Sequence, residues 1–239
     1  ETFYPLWGSE SLPVEEFCGR VADAGYDGVE AFIPETGAHA EAFLHALSRH
    51  GLGFIAQHAL TLEPEFERHR EIHNAQLRRL AQMRPRFLSS QTGRDIFTFA
   101  QNRCLIEDAE RISHETGVSI IHETHRGRFS FAPWSTRAYL EALPELSLTL
   151  DISHWCTVSE SLLEDQEEDV AAALARTEHL HARVGHPQGP QVPDPRAGAW
   201  EQAVEAHLSW WRRIAERMQR EGRETMTVTL EFGPVPYTT

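Results

Sequence analysis

Four apolar runs in the second half of the chain each end in a side chain able to bind a metal ion: Ser119–Glu123, Leu146–Asp151, His179–His181 and Thr225–Glu231. Two glutamates, an aspartate and a histidine offer hard carboxylate oxygens together with an imidazole nitrogen. Such a set suits one divalent cation, Mn²⁺, Mg²⁺, Co²⁺ or Zn²⁺, and leaves coordination positions for a chelating substrate. Taken singly, each end has an ordinary explanation; Glu123 would serve equally as an ion-pair partner of Arg126 or Arg128. Taken together they share one. Side chains at the carboxyl ends of parallel strands closed into a barrel converge on one mouth, however far apart they lie in sequence.

The loops beyond these ends add further groups. Glu123 is followed by Thr124-His125-Arg126-Gly127-Arg128, and strand alternation would put His125 on the face of Glu123. Asp151 leaves a wholly apolar strand, where an acid is costly to bury without a cation or good donors, and His154 follows three residues later. In His179-Leu180-His181-Ala182-Arg183, two imidazoles and a guanidinium share a face. His181 is nearer the strand's end and is the better ligand, while His179 is expected deeper in the barrel. The stretch Gly185–Pro195 is too rich in proline and glycine for regular structure and suits a rim over the mouth or a rigid connector. Arg183, His125, Arg128, Arg126 and Gln57 are candidate substrate contacts. Trp7 and Phe32 are candidates for an apolar wall or for ordinary core.

A short apolar run, a polar loop and a helical pattern recur about every 25 to 35 residues, with a longer last interval. The candidate strands are Thr2–Leu6, Gly28–Phe32, Gly53–His58, Arg86–Ser90, Val118–Glu123, Ser147–Ile152, His179–Val184 and Met226–Phe232. Pro13 and Pro64 open helices, and Gly198–Gly222 is the clearest helix by composition. At 239 residues and 41% hydrophobic composition, the chain can build an α/β fold of (β/α)8 TIM-barrel type, one domain over residues 1–239.

Composition narrows the chemistry. The formal net charge of -14 opposes nucleic acid and anionic membranes, leaving a small molecule as the expected partner, with a homo-oligomer left open. All 22 basic residues counted as Lys+Arg are arginine, so Schiff-base, pyridoxal-phosphate and lysine general-base chemistry are excluded. No run reaches the roughly 20 apolar residues of a membrane span, and no basic-then-apolar leader opens the chain; a soluble cytoplasmic protein is expected. Cys18, Cys104 and Cys156 are odd in number and scattered, which fits free structural thiols.

These residues resemble those of the xylose-isomerase-like TIM barrels, and the resemblance spans essentially the whole chain. In the ketose epimerases of that superfamily, Glu, Asp, His and Glu at the ends of strands five to eight hold a divalent metal, with a D-x-x-H segment on strand six. Glu123, Asp151, His181 and Glu231 match the ligands, and Asp151-Ile152-Ser153-His154 matches the segment. The resemblance implies that His154 touches substrate and that both glutamates also move protons, in a metal-dependent isomerase or epimerase acting on a sugar, ketose or similar polyhydroxy carbonyl compound through an enediolate. A dehydratase or lyase on a cyclic polyol and a non-catalytic sugar-binding barrel are the alternatives. Abasic-site endonucleases share the barrel but need more ligands. Here strand four ends in Leu88-Ser89-Ser90-Gln91 without histidine, and Asp194-Pro195-Arg196 carries arginine where that family has its last histidine, although His58 is available on strand three.

Overall fold

The computed structural model describes residues 1–33, 37–235 and 237. Eight parallel strands, β1 (Thr2–Pro5), β2 (Gly28–Ala31), β3 (Gly53–His58), β4 (Leu88–Ser90), β5 (Ile120–Glu123), β6 (Leu148–Leu150), β7 (Thr177–His181) and β8 (Thr227–Thr229), pair in sequence order and close by pairing β8 with β1. Around them run α1 (Val14–Asp23), α2 (Gly37–Arg49), α3 (Phe66–Gln82), α4 (Phe99–Thr116), α5 (Pro133–Ala142), α6 (Ser153–Val158), α7 (Glu167–Leu174) and α8 (Glu201–Arg220). The fold is a (β/α)8 TIM barrel, as the recurring pattern predicts. Among the described residues, no helix is long and apolar enough to cross a membrane.

Most strands are shorter than the apolar runs that announce them: the run Met226–Phe232 contains a ladder only over Thr227–Thr229. Apolar pattern reports burial, and the chain stays buried at the mouth after pairing ends. Asp151, Arg183 and Glu231 lie outside the strands yet are 0%, 4% and 7% exposed. Strand β7 departs differently, starting two residues before the run at Thr177, where the β6 pairing shifts register between Leu148 and Thr149.

Helix ends follow local chemistry. The Glu65 carboxylate accepts from the Glu67 and Arg68 amides and starts α3, just past Pro64. Thr98 and Gln101 form a reciprocal capping box on α4, which stops at Gly117 in the left-handed conformation, φ 72°. In α8, Ala203, His207, Trp210, Ile214 and Met218 recur at three- and four-residue steps and face the barrel. Each large apolar member stabilises that packing by about 1.5–3 kcal/mol.

Two apolar sectors fill the space between barrel and helices, one around Phe17, Phe43, Leu77 and Leu88, the other around Leu148, Trp155, Leu180 and Ile214. The barrel interior is more polar. Ser89 on β4 meets Thr149 on β6 at 2.9 Å, and Glu30 on β2 meets His179 on β7 at 3.2 Å. These contacts across the barrel fix which residues point inward. Alternation then turns Glu123, Asp151, His181 and Glu231 in and His58 and His122 out toward the helices.

Candidate functional site

The carboxyl ends of β5, β6 and β7 bring Glu123, Asp151 and His181 together, each buried, with one donor atom apiece lying within 4.8 Å of the others. Glu231, just past β8, places Oε1 3.5 Å from His181 Nδ1, and Glu123 Oε1 lies 3.7 Å from that nitrogen. All four sequence-derived ligands therefore meet at one mouth. Glu123 makes no ion pair with Arg126 or Arg128 among the described contacts; it accepts from the Gln91 amide at 3.1 and 3.2 Å.

His181 is held from behind. Its Nε2 lies 3.0 Å from both oxygens of Glu30, which also engages His179 Nε2 and accepts from Thr229 Oγ1 at 2.5 Å. His179 occupies the deeper layer, as alternation predicts, with Nδ1 against Thr227. Burial works against charge on Glu30, but the His181 and His179 imidazoles hold its carboxyl well below the usual range. Burial likewise opposes charge on His181, yet Glu30, Glu231 and Glu123 together lift it well above its ordinary value. In the absence of a cation this holds the ring charged, with Nε2–H donated to Glu30; loss of the other proton would free a lone pair on Nδ1, which faces Glu123 and Glu231. That buried Nδ1 has no hydrogen-bond partner, nor does Glu231 Oε2.

An orphaned imidazole nitrogen facing several carboxylates is a donor set that fits a divalent cation, and a carboxylate behind the histidine is the usual outer support for such a ligand. Burial raises the Glu123 and Glu231 carboxyls above their ordinary value, with neighbouring acids adding to the rise and His181 opposing it. A cation would relieve that crowding.

Arg183 is the resident positive charge. Its guanidinium pairs with Asp151, lies 3.4 Å from Glu231 Oε2 and donates to His154 Nε2 at 2.8 Å and Ser153 Oγ at 3.1 Å. It also packs over the rings of Trp7 and Tyr237, 5.8 and 5.2 Å from their centroids. His154, on the first turn of α6, is fully buried, and burial with His125 and Arg183 nearby keeps it neutral. Because Nε2 accepts from Arg183, the ring proton resides on Nδ1, which has no partner.

The remaining candidates separate. His125 lines the mouth cavity, its ring centroid 3.9 Å from that of His154, with Nδ1 donating to the Arg126 carbonyl at 2.6 Å. Gln57 lines the same cavity. Arg128 is buried and spends its guanidinium on the Thr61, Gly93 and Ala59 carbonyls and on Gln91 Oε1, so it orients the amide that holds Glu123. Arg126 donates to the Tyr237 hydroxyl. His58 points away from the mouth, against Ser90 and Thr61, while half-buried Asp194 and exposed Arg196 pair with each other. Neither extends the ligand set toward that of the endonucleases. Cys156 is fully buried, and burial pushes its thiol up to about 12, an inert structural position. The Gly185–Pro195 loop is pinned by Val192 N–H to the Val184 carbonyl and by Gln191 to Gly233, and none of its residues lines the mouth cavity.

Glu30, Gln91 and Tyr237 have no counterpart in the sequence-derived set. Glu30 carried a usable signal: an acid inside Gly28-Val29-Glu30-Ala31-Phe32 is as costly to bury unpaired as Asp151. Gln91 and Tyr237 sit in loops whose course the sequence does not fix.

No protein-family model matches the chain, and no curated protein matches it in sequence. Solved structures do match in fold. A sugar phosphate isomerase/epimerase from Parabacteroides distasonis superposes with a TM-score of 0.64 at 15% identity, covering 100% of this chain and 93% of its own. The probable 3-DHS dehydratase AsbF from Bacillus anthracis gives 0.63 at 16%, covering 99% and 94%. A xylose isomerase-like TIM barrel protein from Mycobacterium smegmatis, in complex with magnesium, gives 0.62 at 12%, covering 98% and 90%. The likeness is one of fold: the chain shares the (β/α)8 barrel of these proteins over nearly its full length.

Proposed function

We propose that this chain is a divalent-metal-dependent isomerase or epimerase of a sugar, ketose or related polyhydroxy carbonyl compound. The observation that carries the reading is the meeting of Glu123, Asp151 and His181, with Glu231 alongside, around an unpartnered His181 Nδ1. These four side chains would hold the ion, whose identity among Mn²⁺, Mg²⁺, Co²⁺ and Zn²⁺ the donor set does not select. Bound there, it supplies Lewis acidity toward a carbonyl and its neighbouring hydroxyl, acidifying the C–H between them.

The protein groups do the rest. Glu123 and Glu231 come from β5 and the end of β8, three steps apart around the barrel, so the two carboxyls can address a bound substrate from different sides. One removes the proton on carbon and the other delivers one. Return to the opposite face of the same carbon epimerises; delivery to the adjacent carbon isomerises. Neutral His154 presents Nδ1–H to a substrate oxygen, and His125 beside it and Gln57 supply further polar contacts. Arg183 steadies Asp151 and balances its charge.

Loss of a hydroxyl after the same proton abstraction would make the protein a dehydratase, and the fold neighbour described as a probable dehydratase supports keeping that second reading. One experiment addresses both. Metal-loaded protein incubated in D₂O with a panel of ketoses, aldoses, their phosphates and inositol derivatives should place carbon-bound deuterium alpha to a carbonyl in one substrate class. A product absorbing in the near ultraviolet, with loss of water, selects elimination. Absence of exchange and turnover across the panel overturns the proposal.

A further inference from the structure

The mouth opens into a cavity of about 520 Å³ with two unlike walls. Glu123, His125, Arg183 and Glu231 line the side built from β5, β7 and β8. The other side is built from the stretch linking β1, α1 and β2, where Leu6, Trp7, Leu12, Val14, Phe17 and Phe32 line the cavity. Five of these, all but Phe17, are half-buried. Gly233 makes the wall possible: a Cβ there would sit 2.0 Å from the Trp7 ring.

We infer that the substrate carries an apolar substituent, an alkyl or aryl group on a polyhydroxy carbonyl head, and that this group seats in the β1–α1–β2 recess. The inference rests on the proposed function for the head group and adds the tail. Three observations carry it. The recess is continuous with the carboxylate side, so one molecule can span both. A bare monosaccharide, hydroxylated on every side, would leave the apolar wall wet and fill only part of the space, whereas binding pockets usually enclose most of their ligand. The recess also offers little to a phosphate: among the described residues the one arginine lining the cavity is Arg183, already engaged by Asp151 and close to Glu231, the chain has no lysine, Glu10 adds an acid, and the one imidazole on the apolar side, His39, is exposed.

The test measures binding of 6-O-methyl, 6-O-butyl, 6-O-octyl and 6-O-(4-nitrophenyl) ethers of fructose, tagatose and psicose, which keep the carbonyl, against fructose 6-phosphate, by calorimetry on the magnesium-loaded full chain. In at least one series affinity should rise about fourfold per methylene until the recess is full, and fructose 6-phosphate should bind no better than the methyl ether. Phe32→Ser and Leu12→Ser, checked for folding by thermal melts, should flatten that rise. Affinity independent of chain length in every series, a rise that survives both substitutions, or preference for the phosphate overturns the inference. Its failure is distinct from failure of the function. Deuterium exchange on small or phosphorylated ketoses without a chain-length effect removes the tail and keeps the chemistry. A chain-length effect without exchange on any ketose does the reverse.

Discussion

His122 and Glu123 are neighbours on β5, yet they belong to polar clusters of opposite character. Outside the barrel, His122 meets Thr92 at 2.8 Å, and nearby His58 is bracketed by Ser90 and Thr61, with His73 stacked edgewise on it. Burial drives these rings toward neutrality, His122 down to about 3 and His73 down to about 4, while His58 falls well below its ordinary value. Hydroxyls suffice as their main partners because there is little charge to balance. Inside the barrel, burial acts equally strongly on Glu123, Glu231 and His181, but acids outnumber the resident cations and His181 is held charged by carboxylates. Similar burial thus yields neutral rings on one face and a crowd of acids around a charged imidazole on the other. His69 Nε2 and His73 Nε2 are also left without partners on the outer face, but only on the inner face does an orphaned nitrogen, His181 Nδ1, stand among carboxylates that could share an ion with it.

The comparison is most exposed to substitution at adjacent positions of β5. Glu123→Gln, and Glu231→Gln across the barrel, are expected to lower turnover by about 10² to 10⁴-fold at matched metal content, since that is the range general acid–base catalysis supplies. His122→Gln is expected to cost stability, read from thermal melts, and to leave turnover of the folded protein nearly intact. If His122→Gln and Glu123→Gln cost turnover equally, the two faces do not divide as described.

A smaller effect is expected one layer deeper. Glu30→Gln keeps the shape but removes the charge behind His181, which should weaken metal affinity by about 10 to 100-fold in titration calorimetry. Unchanged affinity would reduce Glu30 to a packing role. Arg183→Met should act in the opposite direction, tightening metal binding by roughly tenfold because a guanidinium no longer competes for Asp151 and repels the incoming charge.

The outer cluster makes its own prediction. Its histidines have folded-state pKa values below the unfolded value near 6.5, so the unfolded chain takes up protons first as pH falls. Their stability cost is absent above about pH 6.5 and grows on acidification toward about pH 4, by about 1.4 kcal/mol per pH unit for each titrating histidine. Denaturant melts across that window should show the decline, and His73→Asn should make it shallower. A flat profile would mean that the rings titrate as they do in the unfolded chain.

How much of this was legible in the sequence follows from the same alternation. Short apolar runs recurring with a loop and a helical pattern announced eight strands, and acids or imidazoles at four successive strand ends announced the inner cluster, because each breaks an apolar run. Glu30 breaks a run too, but its meaning depends on β2 facing β7 across the closed barrel, which no local pattern encodes. Arg128 was equally opaque. The same side chain could reach the cavity or brace the Ala59, Thr61 and Gly93 carbonyls, and the path of the loop after β5 decides between them. Arg183 was placed on the correct face, but its pairing with Asp151 required the end of β6 to be known in space. The cavity's apolar side was visible only as Trp7 and Phe32, two residues that ordinary core packing would explain as well.

The most direct test of the central claim is metal titration of the purified chain by calorimetry in two buffers of different ionisation enthalpy, beside Asp151→Asn. The account predicts about one divalent ion per chain, with net proton release, because His181 Nδ1 and the raised Glu123 and Glu231 carboxyls must all be free of protons to coordinate. It also predicts severe loss of binding in Asp151→Asn. No saturable binding, or an Asp151→Asn protein that binds as tightly as its parent, would contradict it.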